Sequence, residues 1–506
     1  MGEQGIVIYS WIILVAFIGL FLYLGRVGAK ASQTMEGFSI AKGAVKPWML
    51  GVCFGATYAS ANLFIGVPGW AYSFGESVLW WTWGCFALSW IALILLTKKF
   101  WQIGQLSGGS LTLADWLGNR YNSNFLRVGV ALLWLLGIYY IAGQTVGMGT
   151  LFETTLGTPY LWGIILGTVI VVIYIGFGGS YADIVTDTVQ GILMIIFGII
   201  MFASLAWTIG GGFGFLGKLH GQLNAIDPNL TAPLNPNSPL FGDVFGIVGI
   251  ELLLLGFVLL PQLMNKILAL RNEGEMREFL FSAGITLFFV SNMMVFAGLG
   301  ARVLLPGLQF ADTAVPQYMV HTFPPIISAF VIVAILGAVL STTDGLYVSI
   351  SSQLSNDCYR KVIARKIYGD SKEGREKAEK NALILAKALI PVIGIIAILF
   401  AIQRPPSLTL LTQIGNSGLI SGVIASLTLG YFWRRANKPG AIASFLAGAG
   451  TYAFLMISGI QPNPFKSLVF GTIAGFTAMI IVSLMTPPMS KEEVEQFIPD
   501  NKNINI

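Results

Sequence analysis

The chain has 506 residues, of which 55% are hydrophobic and 10% charged, against about 25% charged in an ordinary soluble domain. That excludes a water-soluble enzyme and a disordered chain, and points to a lipid bilayer as the solvent. The net charge of +5 fits basic loops on one side of a membrane rather than an acidic partner, and nucleic acid is not expected.

Apolar runs of spanning length, about 20 residues each, lie near 6–28, 47–70, 76–98, 125–152, 159–178, 183–208 and 243–268. Six more follow near 276–301, 324–353, 381–402, 407–431, 439–459 and 464–486, which makes thirteen. The first run has no basic n-region and no cleavage site before Arg26, so a retained span is expected rather than a signal peptide. The Met-Gly start lacks the Ser or Thr at the sixth position that lipidation would need. With the N-terminus outside, 25 basic residues, Lys266 among them, fall inside. Only Lys218, Arg302, Arg404 and Lys466 fall outside, which predicts a multi-pass protein of the inner or plasma membrane with a cytoplasmic C-terminus.

The predicted organisation is an extra N-terminal helix and inner loop (1–46), a five-helix unit (47–208) and a Gly/Asn/Pro-rich outer loop (209–242). A second five-helix unit (243–431) starts from the opposite side, followed by two C-terminal helices (432–489) and a polar cytosolic tail (490–506). Opposite starting sides describe an inverted repeat. A charged inner loop is expected at 354–380. The first helix of each unit is interrupted: GVCFGATYASANLFIGVPG (51–69) carries Gly, Ser, Asn and Pro, and GIELLLLGFVLLPQLMNK (249–266) carries Gly256 and Pro261. Such breaks free backbone carbonyls at mid-membrane for ions or substrate, although Gly and Pro also serve helix packing.

Ionisable groups inside spans are costly and mark function. Asp183 reads as an interfacial helix-start residue, Asp187 lies one turn deeper, and Glu251 and Asp344 lie within other runs. Around Asp344, the hydroxyls of Ser341, Thr342, Thr343, Ser349, Ser351 and Ser352 either bond back to the preceding turn or offer oxygens to a hard monovalent cation. Cys53, Cys85 and Cys358 have no metal-ligand spacing and suggest no disulfide. His220 and His321 lie in or near outer connections, which argues against a histidine proton relay. No Ser/His/Asp set, Walker motif or DDxxD motif appears, so neither an ATP-driven pump nor an enzyme is expected, and no cofactor is called for.

The stretches YIGFGGSYADIVTDTVQG (174–191), GAVLSTTDGLYVSISSQLSNDCYR (337–360), ATYASANLFIGVPGWAY (56–72) and RRANKPGA (434–441) closely resemble the sodium:solute symporter family. The resemblance runs from about 35 to 485 and is nearest in pattern to the pantothenate and proline branch. It implies an all-α membrane protein with the leucine-transporter-type (LeuT) fold. It also implies a sodium site made by the carbonyls of Ala56, Ala59 and Ala338 with the hydroxyls of Ser341 and Thr342. Asp187 matches the family's TD aspartate, whereas Asp344 stands where some members have a small residue. The two either form a second cation site or share a proton.

The same resemblance implies a solute site at Tyr58, Ser60, Ala61, Asn62, Trp81, Thr82, Tyr140, Gln144, Gln413 and Asn416. Gln262 replaces the usual His after Pro261, and Glu251 replaces an apolar residue, which weakens the case for pantothenate itself. Glu251 either receives a cationic group or sits in a wet outer vestibule. The expected function is sodium-coupled symport by alternating access. A monocarboxylate or pantothenate-like acid is the first candidate solute, an amino acid such as proline the second, and a sugar or polyol the third. The rivals are proton coupling on the same fold and a solute sensor that does not transport. The sequence carries no signal for oligomeric state.

Overall fold

In hydrocarbon every main-chain polar group must be satisfied internally, and the regular elements among the described residues are all helical. The computed structural model describes residues 2–106, 109–404 and 408–497. Residue 407 and residues 498–506 of the expected tail lie outside the described residues, and Lys491–Phe497 forms a short helix.

Eleven helical stretches among the described residues are long and apolar enough to cross a membrane, against thirteen apolar runs in the sequence. The difference comes from two joined stretches, Asn62–Gln105 and Tyr160–Thr208. The second has 49 residues; at about 1.5 Å per residue it would measure more than twice the ~30 Å hydrocarbon core. It bends at Gly179, whose φ of 51° and ψ of −147° leave the helical region. A Cβ there would be strained, and it would lie 2.8 Å from the Phe38 ring.

We number the main helices α1 (Gly2–Gly28), α2 (Pro47–Tyr58), α3 (Val67–Phe74), α4 (Leu79–Gln105), α5 (Gly137–Thr155) and α6 (Tyr160–Thr208). The second half contains α7 (Val244–Phe257), α8 (Pro261–Leu268), α9 (Met276–Leu304), α10 (Pro325–Ser352), α11 (Lys372–Ala401) and α12 (Leu408–Phe432). The C-terminal pair α13 (Lys438–Ile457) and α14 (Pro464–Met485) packs on α12, and α1 packs on α6 and α10.

Both expected interruptions are present. Helix α2 ends at Tyr58, Ala59 takes φ −81° and ψ 74°, and a π-helical turn over Asn62–Gly66 leads into α3. Helix α7 ends at Phe257, and Leu260 is extended (φ −66°, ψ 138°) ahead of Pro261, the first residue of α8. The second break follows from local sterics: proline disfavours helical geometry in the residue before it and is well suited to the first helical position. The half-helices α2 and α8 pack against each other and both against α10.

The connections are more ordered than the sequence suggests. The stretch 354–380, expected as a loop, is largely helical: α10 continues as a π-helix over Gln353–Ala364, and α11 begins at Lys372. The connection 209–242 contains a helix over Phe215–Ile226.

Candidate cation and solute site

Helix α10 is buried from Ser328 to Ser352 except for Phe330, so its hydroxyls need partners inside the protein. The Ser341 hydroxyl donates to the Ala338 carbonyl at 3.0 Å, within its own helix, and reaches the Ala56 carbonyl at 3.1 Å. The Thr342 hydroxyl donates to the Thr57 carbonyl at 2.8 Å and lies 3.5 Å from that of Ala338. Four of the five groups expected to bind sodium therefore meet at the end of α2. The Ala59 carbonyl takes no hydrogen bond from α10 among the described residues, whereas Thr57 supplies a second carbonyl from α2. Of the remaining hydroxyls, those of Thr343, Ser349 and Ser351 bond back to the carbonyls of Val339, Leu346 and Val348, whereas that of Ser352 accepts from the Ser39 hydroxyl at 2.9 Å.

One turn further along α10 the protein concentrates charge. One carboxylate oxygen from each of Asp183, Asp187 and Asp344 lies within 4.8 Å of the other two, and all three residues are buried. Asp187 accepts from the Thr57 hydroxyl at 2.7 Å and from the Cys53 thiol at 3.4 Å. Asp344 accepts from the Tyr174 hydroxyl at 2.8 Å and from the Gly345 N–H at 2.9 Å. Asp183 does lie in the first turn after the Gly179 kink, but it is not interfacial: it is buried and forms an ion pair with Lys266. Nor is Lys266 an inner-loop residue: it lies in α8 with a side chain 1% exposed. Its signal was available, since a lysine five residues after Pro261 falls inside the second half-helix. Asp183 and Asp187 likewise share one helical face at four-residue spacing.

The expected solute residues divide into two groups. Near the first break, Gln144 on α5 accepts from the Ala61 N–H at 2.9 Å, and Asn62 donates to Thr412 at 2.8 Å. Gln413 lies 3.4 Å from Thr412, and Asn416 donates to Gln413 at 3.2 Å, extending the chain along α12. The Ser60 hydroxyl accepts from the Asn62 N–H at 3.1 Å. Tyr58 points toward α4, bonding Ser89 at 2.7 Å, and its ring lies 4.6 Å from that of Phe257. The Tyr140 ring is 6.5 Å from the same Phe257, an aromatic link absent from the sequence reading.

Trp81 belongs to a second group, an aromatic cluster with Trp70 at 5.5 Å and Phe465 at 6.0 Å. Its neighbour Thr82 is buried too. Glu251 is partly exposed, with its Oε2 buried against Gly84. Trp81 Nε1, Thr82 Oγ1, Tyr140 OH, Gln144 Nε2, Asn416 Oδ1 and Glu251 Oε2 are all buried without a hydrogen-bond partner of good geometry among the described residues. Buried orphan groups are rare in native structures and call for an explanation such as a polar ligand or bound water.

Residues 38–448 match the model of the sodium:solute symporter family. The sodium/pantothenate symporter of Haemophilus influenzae is 28% identical over 477 residues, covering 92% of this chain and 95% of that protein. Sodium/proline symporter 2 of Staphylococcus saprophyticus is 26% identical over 511 residues, covering 96% and 93%. Among solved structures, a substrate-bound, outward-open sodium-coupled sialic acid symporter superposes with a TM-score of 0.77 at 20% identity, covering 96% of this chain and 99% of that one. A nucleobase-cation-symport-1 family transporter in a closed conformation gives 0.53 at 15% identity, covering 91% and 97%. The helical architecture is thus that of the leucine-transporter-type transporters, and the chain belongs to the sodium:solute symporter family: it is a multi-pass membrane transporter, not an enzyme, which couples sodium to the movement of a small solute.

Proposed function

We propose that sodium binds between the end of α2 and α10, at the carbonyls of Ala56, Ala59 and Ala338 and the hydroxyls of Ser341 and Thr342, and that a small organic acid binds beside it. The observation that carries this reading is the pair of hydroxyls on α10 that reach carbonyls at the end of the broken helix. A sodium ion there would draw the Ala59 carbonyl inward and pin the break to α10. Its occupancy would then bias the conformational equilibrium by its differential affinity for the two states. Each net positive charge that moves inward gains about 2.3 kcal/mol per 100 mV.

The orphan groups favour a carboxylate. Beside the first break, Tyr140 OH and Gln144 Nε2 are donors, whereas Asn416 Oδ1 accepts. A solute with one acidic end and a hydroxyl or ammonium group would satisfy both kinds. The relatives' names supply two such molecules, pantothenate and proline, and we rank a pantothenate-like or other monocarboxylic acid first and an amino acid second. Asp187 and Asp344 serve as a second cation site in this reading. We also infer that the N-terminus faces outward and the C-terminus the cytoplasm, from the basic-residue asymmetry, which survives without Lys266. The units 47–208 and 243–431 are the inverted repeats, flanked by the segments 1–46, 209–242, 432–489 and 490–506.

The test is the thermal stability of the purified protein, titrated with sodium against potassium at fixed ionic strength. Uptake of labelled pantothenate, proline and short monocarboxylates into proteoliposomes then follows. A ligand that binds only the folded state stabilises it by about 2.7 kcal/mol at 100 times its dissociation constant. A saturable sodium-selective shift, with uptake driven by a sodium gradient, is expected. Uptake driven by a pH gradient and indifferent to sodium would replace sodium with protons as the coupling ion.

A further inference from the structure

Three buried carboxylates and one buried ammonium share the space between α6, α8 and α10. With every group ionised, Asp183, Asp187, Asp344 and Lys266 leave a formal charge of −2 out of contact with bulk solvent. Isolated buried charge is strongly unfavourable, so the balance must come from further cations or protons. Lys266 already supplies one positive charge, tethered by four methylenes to a half-helix whose start is fixed by Pro261.

The ammonium does not serve all the oxygens equally. It pairs with Asp183 Oδ2, while Asp183 Oδ1 and Asp187 Oδ1 have no donor among the described residues. The Gln262 amide, one turn before Lys266, is also buried, and both its polar atoms lack partners. Gln262 lies beside Asp183: a Cβ added at Gly345 would meet the Gln262 Cβ at 3.4 Å and Asp183 Oδ1 at 3.5 Å. The cluster thus holds one tethered cation at one edge, and unsatisfied carboxylate and amide groups remain beside it.

We propose that the Lys266 ammonium is the resident counter-cation of the Asp183, Asp187 and Asp344 cluster, standing in place of one mobile coupling cation and setting how strongly the cluster attracts the others. This rests on the reading of Asp187 and Asp344 as a cation site and adds to it the two residues, Asp183 and Lys266, that set its charge. An incoming monovalent cation and the ammonium then compete for the Asp183 carboxylate. Because Lys266 rides on α8, the number of ions held is linked to the position of the half-helix that packs on α2.

The test varies formal charge while recording the sodium concentration that gives half-maximal thermal stabilisation. Lys266→Met takes the cluster to −3, Asp183→Asn to −1, and the two together restore −2. Each unit of charge changes cation affinity, so the midpoint should fall about tenfold in Lys266→Met and rise about tenfold in Asp183→Asn. The double variant should return to within about threefold of the unaltered protein. If Lys266→Met folds only in sodium and not in potassium, the mobile ion has taken the place of the ammonium, which supports the assignment. A Lys266→Met protein that fails to fold even in saturating sodium overturns it. So do single variants that are equally destabilised in both salts with unmoved midpoints, the signature of a structural ion pair, and so does a double variant that titrates like Lys266→Met. If the unaltered protein shows no sodium-selective shift, the site reading fails and this inference with it. If it does and the variants share its midpoint, only the role of Lys266 fails.

Discussion

The break between α2 and α3 and the break between α7 and α8 occupy corresponding places in the two units, but different chemistry holds them open. In the second, Val258, Leu259 and Leu260 are buried apolar residues, and Pro261 dictates the geometry. The first has no proline at its turn. Its carbonyls at Ala56 and Thr57 meet Ser341 and Thr342, its Ala61 N–H meets Gln144, and its Asn62 meets Thr412. One break is written into its own residues; the other is kept by partners on three other helices. A ligand can therefore adjust the first far more readily than the second.

The largest expected effect comes from removing those partners. Ser341→Ala with Thr342→Ala strips donors from two buried carbonyls at about 1–3 kcal/mol each. It should abolish the sodium-selective thermal shift and lower sodium-driven uptake about 100-fold or more, the equivalent of about 2.7 kcal/mol. A double variant that keeps its sodium response would show that the first break is not held through a cation. Gln144→Ala should follow, since it leaves the Ala61 N–H unpaired at about 1–3 kcal/mol. We expect the solute KM to rise about tenfold with the sodium midpoint unchanged; an altered sodium midpoint would place Gln144 with the ion instead.

The proline break should respond differently. Pro261→Ala is expected to leave stability within about 1 kcal/mol while slowing amide exchange at Val258, Leu259 and Leu260, because Ala lets the helix propagate. Unchanged exchange would mean that packing, not proline, keeps the second break open.

The smallest effect lies at the start of α7. There Asp243 accepts from the Gly246 N–H at 2.8 Å and from Lys466 at 2.6 Å. The hydrogen bond from Lys466, followed by that from Gly246, holds the Asp243 carboxyl below the usual aspartate value. Its contribution is therefore complete above about pH 4 and fades as the pH falls through the depressed folded value. Asp243→Asn should cost at most about 1 kcal/mol at neutral pH and remove that part of the acid dependence of the thermal midpoint.

Whatever depends on spacing along one helix was legible in the sequence. The hydroxyl and carboxylate face at Ser341, Thr342 and Asp344 could be read directly, and so could both breaks. Pairing across helices was not. Asp183 reads as an interfacial helix start because the apolar run is cut near residue 183; it does follow the Gly179 kink by one turn, but that kink is itself buried, so the residue lies in the interior. Lys266 looked like a loop cation because it ends a long apolar stretch, and only the packing of α8 against α2 and α10 shows it to be buried. Trp81 and Tyr140 were expected at one cavity. The structure turns Trp81 toward Trp70 and Phe465, a choice made by neighbours distant in sequence.

Cys53 gives the charge cluster a native chemical reporter. Its thiol lies 3.4 Å from Asp187 Oδ2 and is fully buried, whereas Cys358 is half-buried. Sulfhydryl reagents should therefore modify Cys358 first and reach Cys53 only as α2 separates from α6. An adduct there would add bulk against the carboxylate, so loss of transport on labelling would follow the opening of the cluster in time. It also follows that replacing Cys53 to obtain a cysteine-free background would not be a silent change.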